Sequence, residues 1–314
     1  MRIKKPKFWD LKKPSLVSYL LLPFTLPIII NNFLIKYKSN KKYRNIKTIC
    51  IGNIYLGGTG KTPSSIKIYE ILKEFNLKVV TAKKYYPSLL DENIILQNKT
   101  NLISLKNREE IIKNAKKNKV DIVVFDDGLQ DRKVSYDLSF VCFENNTFIG
   151  NGFLIPSGPL REKLDSLAKY DGVFLKTYED TSQNKLDIIK KYNPNIQIFE
   201  TYFEISNLNK FDPKENYLVF SGIGNPNDFK KILHRNKFNI LEEIIFPDHH
   251  DYDIGDIKKI LKRAEFLKAK VITTEKDFVK INKFNITSRY NIENKLNLKN
   301  EEKIKKILKQ KIYN

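Results

Sequence analysis

The chain has 314 residues, enough for about two α/β domains, so a substantial core is within reach and a disulfide-stapled mini-protein is excluded. With 41% hydrophobic and 12% aromatic residues it lacks the signature of disorder, and a mean hydropathy of −0.43 excludes a polytopic membrane protein. Subtracting 36 Asp and Glu from 57 Lys and Arg leaves +21, which predicts attraction to phosphate in nucleic acid, anionic lipid or a phosphorylated substrate, unless it only reflects a general over-use of lysine.

Residues 1–45 stand apart. A basic start (Lys4, Lys5, Lys7, Lys12, Lys13) precedes an apolar stretch from Leu16 to Ile30, followed by Lys36, Lys38, Lys41, Lys42 and Arg44. As a helix the stretch reaches about 23 Å against a hydrocarbon core of about 30 Å, and Pro23 and Pro27 interrupt its hydrogen-bond ladder. A single clean span is therefore not expected. Asn31, Asn32, Phe33 and Leu34 follow where a signal peptide needs small residues, so no cleavage is expected either. The reading is a membrane-associated N-terminal segment lying in the interface, with Phe8, Trp9 and Tyr19 at head-group level; the alternative is a buried helix.

From Ile46 onward short apolar runs alternate with amphipathic segments, which predicts βαβ units and a mostly parallel sheet. Strands are expected at 47–51, 78–81, 121–125, 138–143 and 173–176, with helices at 61–75 and 108–117. A second series follows, at 197–205, 217–221, 226–233, 240–246, 254–267 and 270–274. The polar stretch at Asn193 to Asn195 divides the chain into residues 46–195 and a smaller α/β domain, 196–314, ending in a basic amphipathic helix with Ile304, Ile307, Leu308 and Ile312 on one face. Cys50 and Cys142 lie inside apolar strand-like runs and read as core residues rather than disulfide or metal ligands.

The chemistry begins at Gly57-Gly58-Thr59-Gly60-Lys61-Thr62, directly after a strand and opening a helix. Glycines there let backbone N–H groups turn toward phosphate oxygens, Lys61 supplies a cation, and Thr62 can hold Mg²⁺ at a helix N-terminus. The loop departs from G-x-x-x-x-G-K-T, which wants glycine where Tyr55 stands, and from the partitioning-ATPase variant, which wants lysine where Leu56 stands. Downstream, an apolar strand ends in Asp126-Asp127, at the carboxyl edge where open α/β sheets bind ligands, and one of the pair is expected to orient Mg²⁺. His249-His250 stand together in a turn after a strand of the second series; on their own they read as a surface turn.

Read with its flanks, Gly52 to Pro63 resembles the tetraacyldisaccharide 4'-kinase family of lipid A biosynthesis. The blocks Asp126 to Gln130, Gly150 to Glu162, Ser221 to Pro226, Phe246 to His250 and Thr273 to Asp277 resemble that family's blocks in its order. The resemblance implies a P-loop kinase domain and transfer of the ATP γ-phosphoryl group to the 4'-hydroxyl of tetraacyldisaccharide 1-phosphate, giving lipid IVA. It implies a glycolipid substrate, an anionic membrane surface as partner at the cytoplasmic face of the bacterial inner membrane, and neither nucleic acid nor an obligate protein partner.

The resemblance carries the family's catalytic carboxylate to Asp91 and its partner histidine to His249. It also sets Arg161 near the nucleotide and Glu162, with Thr62, Asp126 and Asp127, near the metal. Where the family reads S-R-G-Y-G, this chain has Ala82-Lys83-Lys84-Tyr85-Tyr86, and Asp131 stands where a histidine often follows the D-D-G-x-Q block. Two other classes remain. A membrane-docked P-loop ATPase switch without a small-molecule acceptor would hydrolyse ATP independently of lipid and of His249, and Leu56 argues against it. A nucleic-acid-binding protein has only the charge in its favour, since no such motif is present.

Overall fold

The computed structural model describes residues 5–36, 42–43, 45–86, 90–131, 133–178, 181–284 and 289–313. In chain order these form α1 (Leu16–Leu20), α2 (Leu26–Lys36), β1 (Lys47–Gly52), α3 (Lys61–Lys73), β2 (Val79–Lys84), α4 (Leu90–Lys99), β3 (Leu102–Leu105), α5 (Arg108–Lys117), β4 (Ile122–Asp126) and β5 (Leu138–Glu144). Then come β6 (Gly172–Lys176), α6 (Gln183–Tyr192), β7 (Gln197–Ile205), β8 (Asn216–Ser221), α7 (Pro226–Arg235), β9 (Asn239–Ile245), α8 (Ile254–Phe266), β10 (Lys270–Thr274), α9 (Glu275–Ile281), β11 (Arg289–Ile292), β12 (Asn294–Leu298) and α10 (Glu301–Tyr313).

Eight strands make one sheet in the order β12-β7-β6-β5-β1-β4-β2-β3, parallel except for the β12–β7 pair. The central strands β1, β4, β5 and β6 are buried on both faces, as their near-continuous apolar runs predict. Ile111, Ile112 and Ala115 of α5 and Ile189 of α6 cover Val123, Phe125, Val141 and Phe143 on one face. On the other, Ile68, Ile71 and Leu72 of α3 and Ile304 and Leu308 of α10 cover Ile49, Ile51, Val124 and Phe140. Cys50 and Cys142 are buried one in each layer, and burial pushes the Cys142 thiol up to about 12. Strand order reverses at β1, whose neighbours β5 and β4 continue to opposite edges, so the crevice beyond the carboxyl end of β1 is the expected ligand position.

The smaller sheet is parallel, in the order β11-β10-β8-β9, with α8 on one face and α7 on the other. Its boundaries differ from the expectation. Asn193 to Asn195 only links α6 to β7 within the large sheet, and β12 and α10 return to that sheet from the far end of the chain. The chain leaves after Ile205 and comes back before Asn294; Ser206 N–H donates to the Glu293 carbonyl at 2.8 Å, so the two crossings run side by side. The expected boundary mistook a change in composition for a change of sheet.

The N-terminal segment is short helical pieces broken near Pro23 and Pro27, and among the described residues no helix is long and apolar enough to cross a membrane. Leu16, Leu20, Phe24, Leu26, Phe33 and Leu34 are exposed, as is Tyr19. Trp9 is not at a head-group level: it is buried, and its indole N–H donates to the Pro156 carbonyl at 2.9 Å. Lys4, Lys38, Lys41 and Arg44 lie outside the described residues.

Candidate active site

The loop after β1 has the backbone its glycines predict. Gly60 caps α3 in the left-handed region (φ +84°), and Gly57 at φ +152° passes so close to the Tyr55 ring that a Cβ there would meet it at 3.1 Å. Lys61 and Thr62 therefore open α3 with unpaired helix N–H groups beside them, a ready anion site.

Strand register delivers the acidic partners. Ile51 of β1 pairs with Asp126 of β4, so Asp126 ends its strand beside the loop, and the Thr62 hydroxyl donates to its Oδ2 at 2.9 Å. Asp127 follows in the left-handed region (φ 64°), which turns its carboxylate to lie 3.4 Å from Lys61 Nζ and 3.6 Å from Arg161. Burial raises the Asp127 carboxyl, but Lys61 and Arg161 outweigh it and hold it below the usual range. Arg108, buried at the start of α5, donates to the Asp127 carbonyl and pairs with Asp131, which explains the aspartate at that position.

Glu162 is buried and accepts from Gln130 Nε2 at 2.8 Å and the Tyr170 hydroxyl at 3.1 Å, while Gln130 also reaches Arg161 at 3.4 Å. The described residues contain no group of three acidic, histidine or cysteine side chains able to hold a metal. The Thr62 hydroxyl and the Asp126 carboxylate are hard oxygen donors at a helix N-terminus, and that donor type fits Mg²⁺ completed by phosphate and water. Both Glu162 oxygens are engaged by neighbours, as are those of Asp126, which accept from Thr62, Lys83 and Ser65.

Asp91 sits in the first turn of α4, and the small domain supplies its surroundings. His249 Nδ1 is 3.3 Å from Asp91 Oδ2, Lys280 Nζ 3.5 Å and Lys276 Nζ 3.8 Å, the two lysines one helical turn apart on α9. Burial raises the Asp91 carboxyl, but the His249 hydrogen bond and the two ammonium groups hold it well below the ordinary carboxylate range. His249 occupies the left-handed region (φ 57°), its N–H donating to the Gly222 carbonyl at 3.1 Å. His250, next in sequence, pairs with Asp256 at 2.8 Å and stacks on Phe246, so the adjacent histidines face different tasks.

One side chain joins the two halves. Lys83 of β2, beside Asp126 in the sheet, is buried between Asp126 and Glu92 (2.6 Å). Burial lowers the Lys83 ammonium and its two carboxylates raise it further; Glu92 in turn is held below its usual value by Lys83 and Lys276 against burial. Lys83 is thus no candidate for membrane contact; Lys84, over the Tyr86 ring, is the half-exposed one. Pro87 to Leu89, part of the segment that departs from the family pattern, lie outside the described residues.

The small domain also closes over the loop. A Cβ on Gly224 would lie 3.5 Å from the Gly58 nitrogen, and the Gly222 N–H is held by the buried Asp277 at 2.9 Å. Sequence reasoning missed Lys83, Glu92, Gln130, Tyr170, Lys276 and Lys280. Gln130 and Lys276 lie inside the blocks Asp126 to Gln130 and Thr273 to Asp277, and the spacing of Lys276 and Lys280 on one face of a helix was a further signal.

Comparison with known proteins agrees in one direction. The family described as Tetraacyldisaccharide-1-P 4'-kinase matches residues 17–313. The chain is similar to the tetraacyldisaccharide 4'-kinase of Pelagibacter ubique, 45% identical over 287 residues that cover 91% of this chain and 90% of that protein. It is 34% identical to the Rickettsia canadensis protein of the same name, with 91% and 90% covered. The crystal structure of LpxK from Aquifex aeolicus in complex with ATP shares the fold, with a TM-score of 0.70, 22% identity, and 95% and 100% of the two chains covered.

Proposed function

The chain belongs to the tetraacyldisaccharide-1-phosphate 4'-kinase family, and from that premise we propose that it transfers the γ-phosphoryl group of ATP to the 4'-hydroxyl of a tetraacylated glucosamine disaccharide 1-phosphate. The observation that supports the residue assignment is the chain of contacts from Thr62 and Asp126 through Lys83 to Glu92, the neighbour of Asp91, which links the phosphate loop to the Asp91–His249 pair.

In this reading Gly57, Gly58, Thr59 and Gly60 cradle the phosphates with backbone N–H groups, Lys61 and Arg161 offset charge on the transferring group, and Asp127 orients both cations. Thr62 and Asp126, with Asp127, would hold Mg²⁺, which would offset the negative charge that develops on the transferring group; Glu162 acts on Gln130 and Arg161 from behind. The 4'-oxygen attacks the γ-phosphorus, the bond to the β–γ bridging oxygen breaks, ADP leaves, and the hydroxyl proton passes to Asp91. A carboxylate as acidic as Asp91 is a poor base toward a free hydroxyl. In a loose transition state it takes the proton late, once bonding to phosphorus has made that proton acidic.

The exposed apolar side of α1 and α2, flanked by lysines, supports a membrane-associated enzyme that takes its glycolipid from the cytoplasmic face of the inner membrane. The ATPase-switch alternative is not favoured by the family membership. The test is transfer of labelled γ-phosphate from ATP to the disaccharide 1-phosphate. Turnover by the wild type, lost in Lys61→Ala and Asp91→Asn, is expected; absence of transfer by a wild type that still binds ATP would overturn the acceptor assignment.

A further inference from the structure

Tyr55 stands where the usual phosphate loop has glycine, and the structure gives it a use. Its ring is 2% exposed and lies under Gly57, at 3.1 Å from the Cβ that residue lacks. The ring shares a small apolar cluster with Leu154 and Leu160, against which Ile28 and Ile29 of α2 pack. Its backbone bridges to Leu160, in the strand-like run that leads into Arg161. At the far end of the ring the phenol donates to the Asp10 carboxylate, and Lys5 completes the group, 2.6 Å from Asp10 and 4.7 Å above the ring centre. Burial, followed by Asp10, raises the phenol above its ordinary value, which keeps it a proton donor.

Other bonds tie the same segment to the same loop region. The Asn151 side chain donates to Ser18 Oγ at 3.0 Å, its N–H donates to the Trp9 carbonyl at 2.9 Å, and Asn32 Nδ2 donates to the Arg161 carbonyl at 2.9 Å. The opposite side of this segment carries the exposed Leu16, Leu20 and Phe24. A line of contacts thus runs from Asp10 of the N-terminal segment, through the Tyr55 ring, to the first glycine of the phosphate loop.

We propose that Tyr55 is a positioning residue that braces the phosphate-binding loop against the N-terminal segment, so that docking of that segment on a lipid surface sets the geometry of the ATP site. The proposal rests on the reading of the loop as the nucleotide site. The bond it invokes is local to Tyr55 and Asp10, so it is separable from the chemistry at Asp91.

The experiment is titration of a fluorescent ATP analogue onto the full chain without glycolipid, with and without vesicles of anionic phospholipid, for wild type, Tyr55→Phe, Asp10→Ala and the double variant. Phenylalanine keeps the buried ring, and Asp10 is exposed, so both single variants should fold; thermal unfolding and co-sedimentation with vesicles check this. For the wild type, vesicles tighten nucleotide binding. Each single variant weakens it by about three- to tenfold, the scale of one net hydrogen bond, and abolishes the response to vesicles while co-sedimentation is unchanged. The double variant is no weaker than the stronger single one, because both break the same Tyr55–Asp10–Lys5 group, in which Lys5 Nζ also donates to the Tyr55 hydroxyl. Nucleotide affinity that is unchanged in Tyr55→Phe, or single effects that add, overturns the proposal. Loss of nucleotide binding by the wild type itself would instead overturn the reading of the loop.

Discussion

Lys276 Nζ lies 3.1 Å from His249 Nε2, across the ring from the Asp91 carboxylate, which is 3.3 Å from Nδ1. An ammonium group has protons to give and no lone pair, so Nε2 is placed to accept from Lys276 while Nδ1 faces the Asp91 carboxylate. The same lysine thus orients the histidine and, at 3.8 Å, helps keep Asp91 ionised.

Lys276→Met removes both effects. With the opposing charge gone, the Asp91 carboxyl rises toward its ordinary value, so protonation of the base begins at higher pH and the acid limb of the kcat profile moves upward. We expect kcat to fall by about 10–100-fold, less than the 100–10,000-fold for loss of a base, with KM for ATP little changed. A pH–rate profile superimposable on that of the wild type would refute this role.

Removing the Lys83 cation by Lys83→Met strands Asp126 and Glu92, and breaking such a buried arrangement costs about 3–5 kcal/mol. Glu92 is held below its usual value in the folded chain, so its contribution is fully present above about pH 4.3, the ordinary glutamate value, and is lost as pH falls through the folded one. The difference in melting temperature between wild type and Lys83→Met should therefore narrow below that pH; a gap that widens there contradicts the assignment.

The joint between the domains makes a separate prediction. Lys176, at the end of β6, and Asp228, in the first turn of α7, form a pair almost wholly buried, 4% and 6% exposed. Asp228→Leu alone should destabilise by about 3–5 kcal/mol, whereas Lys176→Met with Asp228→Leu should recover most of the loss, since a matched apolar pair leaves no stranded charge. Denaturant melts of the two variants decide it.

For the outer surface, Leu16→Glu, Leu20→Glu and Phe24→Glu together should abolish co-sedimentation with anionic vesicles. These side chains are exposed, so the melting temperature should stay within a few degrees of the wild type. Vesicle binding that persists would shift the contact to Lys84 or to α10.

Local signals were legible. Gly57 to Thr62 needed only the glycine and lysine pattern, because the turn and the helix start are built from contacts within a few residues. The buried strands β1, β4 and β5 showed as apolar runs, and Asp126-Asp127 were found because a strand end is a place as well as a composition. By contrast α4 and β3 were not foreseen: α4 buries Asp91 and Asn93, and β3 is four partly exposed residues, so neither shows a clean apolar period. His249 and His250 share a composition window, and only the left-handed backbone at His249 sends one to Asp91 and leaves the other on Asp256.

What the amino-acid sequence determined by itself was the P-loop α/β class and the family; its motifs also singled out Lys61, Thr62, Asp91, Asp126, Asp127, Arg161 and His249 as the residues whose proposed roles remain to be tested. Tertiary structure alone decided that β12 and α10 rejoin the large sheet, that Trp9 turns inward, that Lys83 is buried between the two halves of the site, and that Lys276 stands against the histidine ring. The division has a physical cause. Helix starts and tight turns are set by neighbours a few residues away, whereas a pair such as Asp91 and His249 is joined across a long stretch of chain. The entropic cost of closing a loop grows only slowly with its length, so no window of sequence marks where the partner lies.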